Sequence, residues 1–274
     1  MTDQPPISPP ELSGALEVAI RAARAAGAIQ QAYVNRVHTI RTKSSFSDLV
    51  TEVDGLCEAA IRRIIAETYP DHAVLGEEEG QQGDLGAKYR WVVDPLDGTV
   101  NYAHGFPVYC VSIALEPAGQ STGRLLGVVY DATRDELFTA LRGGGASLNG
   151  QPIRVSETPR LAAPALLSTG FPYDPSDVRN LGLLSKLLAR GVPVRRPGAA
   201  ALDLCYVACG RLDGYWELGL KPWDSAAGTL IIAEAGGRVS DGKGQPYTDG
   251  PLIVSSNGHL HAELLEVLSA GSQP

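Results

Sequence analysis

Apolar residues recur at helical spacing from Leu12 to about Tyr33, where Leu12, Leu16, Ala19, Ala23 and Ala26 share one stripe of an Ala-rich segment. Positions three and four apart lie on one helix face, so this pattern predicts an amphipathic helix. A second stripe, Leu56, Ala60, Ile61, Ile64 and Ile65, predicts a helix over about residues 54–69 with Asp54 as its N-cap. Between them RTKSSFSD, residues 41–48, is basic and Ser-rich and reads as a loop. After Pro70 the period shortens. Residues 73–76, 90–94, 109–116 and 125–131 read as strands, and residues 135–143 pair with the last of them as a hairpin. The run Gly143-Gly144-Gly145 interrupts the chain, and Asn149-Gly150 turns it between two short strands.

Beyond residue 150 strands and helices alternate. A strand over residues 165–170 precedes a helix near 177–190. A helix over about 199–209 precedes a strand near Tyr215, and a helix over about 223–235 precedes strands near Arg238 and Leu252. A last helix covers about 260–268. Such alternation predicts sheets covered by helices, an α/β (α+β) architecture. Residues 1–10 read as a disordered lead-in, 11–150 as an N-terminal α+β half and 151–274 as a C-terminal α/β half that completes the site. No repeat or linker sharpens the boundary near 150.

Composition narrows the function. The chain has 274 residues, 44% hydrophobic and 20% charged, enough for a substantial core without disulfides. A formal net charge of −8 argues against nucleic-acid binding. It also suits an anionic substrate poorly, unless some carboxylates hold divalent cations. No apolar stretch approaches the ~20 residues of a spanning helix, and the N-terminal residues read as no signal peptide. Cys57, Cys110, Cys205 and Cys209 form no CxxC pair and read as reduced thiols of a cytoplasmic protein. Cys205 and Cys209 read as small core residues rather than as half of a metal site.

The acidic residues carry the chemistry. In WVVDPLDGTVNYAHGFP, residues 91–107, an apolar strand delivers Asp94 to its carboxyl end, where Pro95 is expected to stop the ladder. Asp97, three residues on, can aim at the same point. Two bare carboxylates that close repel, and a hard dication such as Mg²⁺ removes the conflict. Gly98 allows close backbone approach, and the Gly98 and Thr99 N–H groups can cradle an anion. A capped Asp-Gly turn is the plainer reading of DG alone. In GEEEG, residues 76–80, Glu77 follows a short strand and is a better ligand candidate than Glu78 or Glu79. In DLVTEVD, residues 48–54, Asp54 reads as a cap and Asp48 stays open. Asp224, in KPWD, starts an apolar helix as a cap, a ligand or both, and Glu217 precedes it on a strand. His38, His72, His104, His259 and His261 lie outside these motifs and read as surface or structural residues.

Together DLVTEVD, GEE, WVVDPLDGTVNYAHGFP, RRPGAAALDLCYVACGRLDGYWE and KPWD followed by AEAGG resemble the inositol monophosphatase family in order and spacing. The resemblance implies a layered α-β-α-β-α sandwich of the inositol monophosphatase and fructose-1,6-bisphosphatase type. It implies Mg²⁺-dependent hydrolysis of a small phosphate monoester by metal-activated water, with two or three ions per site and sensitivity to lithium. Glu77, Asp94 and the Leu96 carbonyl would hold one ion, and Asp94, Asp97 and Asp224 a second. Gly98 and Thr99 would hold the phosphate. Arg195, or Arg196 beside it, with Gly198, Ala199, Ala200, Glu217 and Asp224 would face the substrate. Glu77, or Thr99 backed by Asp48, would orient the attacking water. A phosphorylated polyol, inositol 1-phosphate, is the expected substrate of an expected cytoplasmic homodimer without nucleic-acid or membrane partners. Fructose 1,6-bisphosphate, histidinol phosphate, NADP and 3′-phosphoadenosine 5′-phosphate are the alternatives, and a non-catalytic protein keeping the fold is the second class.

Overall fold

The computed structural model describes residues 8–269 except 35, 37–40, 43–48, 85, 163, 173 and 175. Helix α1, Pro9–Tyr33, starts earlier than the apolar stripe suggests. Ser8 caps it and exchanges hydrogen bonds with Glu11, and proline suits a first turn that needs no N–H. Of the eight residues 41–48 expected as a loop, Arg41–Thr42 is strand β1, paired with β2 at Leu49–Val50, and 43–48 lie outside the described residues. Helix α2, Glu52–Thr68, is capped by Thr51 and not by Asp54. Asp54 is the third helical residue, and its Oδ2 accepts from the Thr51 N–H (2.9 Å) and hydroxyl (2.6 Å).

The next segment lays down β3 (Ala73–Gly76), β4 (Gly80–Gln82), β5 (Tyr89–Asp97), the short helix α3 (Thr99–Ala103) and β6 (Cys110–Pro117). Strands β7 (Leu126–Asp131), β8 (Glu136–Leu141), β9 (Gly145–Leu148) and β10 (Gln151–Pro152) follow as a meander. Asn149 and Gly150 both take positive φ in the turn between the last two. These strands make an eight-stranded sheet in the order β10-β9-β8-β7-β6-β5-β3-β4, in which only β3 and β5 run parallel among the described pairs. Pro95 does not end the β5 ladder as expected. Asp94 pairs with Ser112 and Asp97 with Cys110, so Pro95 and Leu96 face Val111 across a bulge that absorbs the missing N–H.

The second half supplies β11 (Leu167–Thr169), α4 (Arg179–Ala189), β12 (Val194–Arg195), α5 (Ala200–Ala208) and β13 (Gly214–Leu218). It ends with α6 (Pro222–Glu234), β14 (Arg238–Asp241), β15 (Leu252–Ser256) and α7 (His261–Ser269). Its five-stranded sheet has the order β12-β11-β13-β15-β14.

Strand alternation sorts the apolar residues into three cores. Trp91 and Val93 of β5 join α1 and α2 on one face of the large sheet, while Val92 faces α5 and α6 on the other. Tyr215 of β13 joins that central core, and Trp216 turns to the outer core under α4 and α7. The layers are therefore α1/α2, large sheet, α5/α6, small sheet, α4/α7. Cys205 lies in the central core with Cys209 packed against it, as expected of small core residues. Among the described residues no helix is long and apolar enough to cross a membrane.

Candidate active site

The carboxyl ends of β3 and β5, the first turns of α3, α5 and α6, and the end of β13 enclose a cavity of about 390 Å³. Strand β5 carries Asp94 to its mouth, and the bulge brings Leu96 and Asp97 to the same wall. Glu77 follows β3 and is tied to β5 by its N–H, which donates to the Val93 carbonyl at 3.2 Å. Asp224, in the first turn of α6, accepts from the Lys221 N–H at 2.7 Å and faces the same space. Neither Glu78 nor Glu79 lines the cavity. Their N–H groups donate to the buried Glu58 carboxylate, which the Arg62 guanidinium pairs at 2.7 Å.

Asp94, Asp97 and Asp224 hold their protons more tightly than isolated carboxyls do. Burial pushes Asp94 well above the usual carboxylate range, and Glu77, Asp97 and Asp224 push it further. Burial raises Asp97 to about 7, with Glu77 adding and the Ala201 N–H, at 2.7 Å, opposing. Asp224 is also driven well up, by burial and then by Glu77 and Asp97. Among the described residues no three His, Cys, Asp or Glu side chains stand close enough together, as placed, to hold a metal ion. The donor set nevertheless fits a hard dication: carboxylate oxygens and one carbonyl, lining one cavity, mutually repelling and without a thiolate or imidazole among them.

Gly98 sets the turn from β5 into α3. Its φ is 93°, and a Cβ there would lie 2.8 Å from the Val108 carbonyl oxygen. Gly98→Ala should therefore cost about 1–3 kcal/mol, read from urea unfolding midpoints, because a non-glycine residue is strained in this region. An unchanged midpoint would remove the argument for glycine at this turn. Thr99 follows, with its hydroxyl 3.0 Å from Asp54 Oδ1 and 3.0 Å from the Leu96 carbonyl. Asp54 is thus both the third helical residue of α2 and the partner of Thr99. The sequence reading gave that role to Asp48, which lies outside the described residues.

The substrate side also departs from expectation. Arg196, not Arg195, lines the cavity, with its guanidinium 5.8 Å from the Phe171 ring centre. Arg195 is exposed and donates to the Val194 carbonyl. Gly198, Ala200 and Glu217 line the wall, but Ala199 is buried in the central core. Asn101 escaped the sequence reading. Its amide donates to the carbonyls of Val108 (2.7 Å), Pro197 (2.9 Å) and Gly198 (3.3 Å), knotting the loop ahead of α5 to α3. Its place in the DPLDGTVN string was the available signal. Among the described residues no histidine lines the cavity. His72 accepts from the Trp91 indole, and His261 is buried between Ser240 and Ser256.

The inositol monophosphatase family model matches residues 11–273. The inositol-1-monophosphatase of Synechocystis sp. is 46% identical over 98% of this chain and 94% of its own length. A protein named Nus factor SuhB, from Pasteurella multocida, is 45% identical over 91% of this chain and 94% of its own. Among solved structures, inositol monophosphatase from Anabaena superposes with a TM-score of 0.84 at 41% identity, covering 94% of this chain and 96% of that one. SaIMPase-II, solved with inositol monophosphate bound, superposes with a TM-score of 0.77 at 30% identity, covering 94% and 95%. Matched along nearly its whole length, with its acids gathered in one cavity, the chain belongs to the inositol monophosphatase family and is a phosphoric monoester hydrolase.

Proposed function

We propose that the protein hydrolyses inositol 1-phosphate to inositol and phosphate in a Mg²⁺-dependent reaction. The observation that carries this reading is the convergence of Glu77, Asp94, Asp97 and Asp224 on one cavity that Glu217 and Arg196 also line. The name of the Synechocystis relative and the inositol monophosphate bound to SaIMPase-II support the choice of substrate. Glu77, Asp94, the Leu96 carbonyl, Asp97 and Asp224 would hold two or three Mg²⁺ ions. Bound there, such cations supply charge neutralisation to the phosphoryl oxygens and to the attacking water. The chain's own residues do the rest. The Gly98 and Thr99 N–H groups, at the start of a helix whose first donors lack intrahelical acceptors, bind the phosphate. Thr99 Oγ1 orients the attacking water while Asp54 accepts a hydrogen bond from the threonine's own O–H. Glu217 accepts a hydrogen bond from a substrate hydroxyl. All four cysteines are free thiols, which supports a reducing, cytoplasmic setting.

A panel of phosphate monoesters assayed with Mg²⁺ and with EDTA tests the reading. Chelation should abolish turnover and Mg²⁺ should restore it. Inositol 1-phosphate should give a higher kcat/KM than fructose 1,6-bisphosphate, histidinol phosphate, NADP or 3′-phosphoadenosine 5′-phosphate. Full activity in metal-free protein would end the metal assignment, and a reversed ranking would change the substrate alone.

A further inference from the structure

Tyr215 and Glu217 lie two residues apart on β13, so both side chains leave the same face of the strand. The Tyr215 ring is fully buried in the central core, and its hydroxyl donates to Glu217 Oε2. Burial, with Glu217 and Asp203 beside it, pushes the phenol well above its ordinary range, so it keeps its proton and remains a donor. The other carboxylate oxygen, Oε1, has no partner among the described residues, and Glu217 lines the cavity. The carboxyl also rests against the bare α-carbon of Gly170, where a Cβ would overlap Cδ and both oxygens.

That wall is itself fixed. Asn180, buried, donates to Thr169 Oγ1 (2.9 Å) and to the Gly170 carbonyl, and accepts from the Trp216 indole at 2.6 Å. Behind the pair, Asp203 of α5 is 1% exposed. Burial raises its carboxyl well above the usual range, and the phenol donates to Glu217 rather than to it. Burial raises Glu217 to about 7, the Tyr215 hydrogen bond and Arg196 oppose the rise, and Asp97 and Asp224 are the other charges near it. A glutamate has rotamer freedom to lose when it meets a ligand. Here the buried hydroxyl holds the carboxyl in advance, in space that only a glycine at 170 leaves for it.

We propose that Tyr215 is a positioning residue which, acting through Glu217, sets the enzyme's preference for a hydroxyl-bearing leaving group. The proposal rests on the phosphatase reading of the cavity and on Glu217 meeting the substrate alcohol. A hydroxyl bound by a pre-aimed carboxylate is held in ground state and transition state alike, so the effect belongs in KM and in selectivity.

Steady-state kinetics of the Mg²⁺-loaded protein test it, with inositol 1-phosphate against p-nitrophenyl phosphate, whose leaving group offers no second hydroxyl. Tyr215→Phe keeps the ring and deletes the donor. It should raise KM for inositol 1-phosphate about 5–10-fold, the factor expected from freeing one immobilised side chain. Its kcat, and its kcat/KM on p-nitrophenyl phosphate, should change less than twofold. Glu217→Gln should lower the same selectivity ratio, and adding Tyr215→Phe to it should lower the ratio no further, because the two act as one unit. Gly170→Ala, whose Cβ displaces the carboxyl with the phenol intact, should lower the ratio as well. Equal losses on both substrates, multiplying losses in the double variant, or an unchanged ratio in both Tyr215→Phe and Gly170→Ala would overturn the assignment. A parent protein inactive on every monoester would overturn the phosphatase reading and this inference with it. An active parent whose ratio ignores Tyr215 overturns the inference alone.

Discussion

Asp94→Asn should lower kcat/KM about 10³-fold on every phosphate monoester, yet the metal-free variant should melt at a higher temperature than the metal-free parent above pH 7. The activity loss follows from the proposed sharing of Asp94 between two cations. Removing its charge weakens the stabilisation of both attacking and leaving oxygens, a term of about 4 kcal/mol, and each 1.36 kcal/mol is tenfold in rate. The stability gain follows from the same side chain. Asp94 is 2% exposed and has Glu77, Asp97 and Asp224 around it, so burial and repulsion raise its folded pKa. A raised acid contributes fully below the unfolded value near 3.9, and its contribution drains as pH climbs toward the folded value. An asparagine escapes that loss and keeps an oxygen for the Leu96 N–H, which now donates to Asp94 Oδ1 at 2.9 Å. Saturating Mg²⁺ should reverse the order, because a ligand stabilises by mass action only the chain that holds it. Melting curves at pH 5 and pH 8, with EDTA and with Mg²⁺, give the four comparisons. Near-normal kcat at saturating Mg²⁺, or a parent that out-melts the variant in EDTA at pH 8, would sink the shared-ligand assignment.

This opposition explains why the acids were so legible in the sequence. Repulsion between Asp94 and Asp97 makes a cation one reading of their spacing, and the longer DPLDGTVN string sets it above a plain Asp-Gly turn. The long apolar strands and the Ala-rich helix were legible for the ordinary reason that their periods of 2 and 3.6 are distinct. Strands of two or three residues, β4 and β12, carry no readable period, and α3 lay hidden in a Gly-Thr motif read for its chemistry. The errors at the site have a common cause: each residue was given one role or one direction. Arg195 ends β12 and Arg196 follows it, so neighbouring side chains leave the chain in different directions, and only the folded chain shows that Arg196 lines the cavity. Ala199 sits in extended backbone ahead of α5, with its methyl turned into the core. Tyr215 was invisible because a buried aromatic on a strand looks like packing. It is packing, and its hydroxyl serves Glu217 besides.

Asp54 is the sharpest of these cases, and it decides what Asp54→Asn should do. A carboxylate has two oxygens. Oδ2 accepts from Thr51 and closes the first turn of α2, while Oδ1 stands 3.0 Å from the Thr99 hydroxyl. Reading Asp54 as a helix-start residue was therefore correct in kind and wrong in excluding it from the site. Thr99 Oγ1 has one proton and two acceptors at 3.0 Å, Asp54 Oδ1 and the Leu96 carbonyl. With either one engaged, its lone pairs stay open to a proton of the attacking water. Asparagine at 54 can keep its oxygen on Thr51, which turns its NH₂ toward Thr99. That NH₂ donates where Asp54 accepted, and it occupies the lone pair the water needs. Asp54→Asn should thus lower kcat about 10²-fold on all substrates, the low end of what positioned proton acceptors contribute, with KM little changed and the unfolding midpoint within about 1 kcal/mol of the parent. Thr99→Ala should match it in kcat, and the double variant should be no worse than the single ones. Asp48→Asn should fall well short of both. A kcat loss in Asp48→Asn equal to that in Thr99→Ala, with Asp54→Asn active, would return the role to Asp48. Additive losses in the double variant would show that Asp54 and Thr99 act separately.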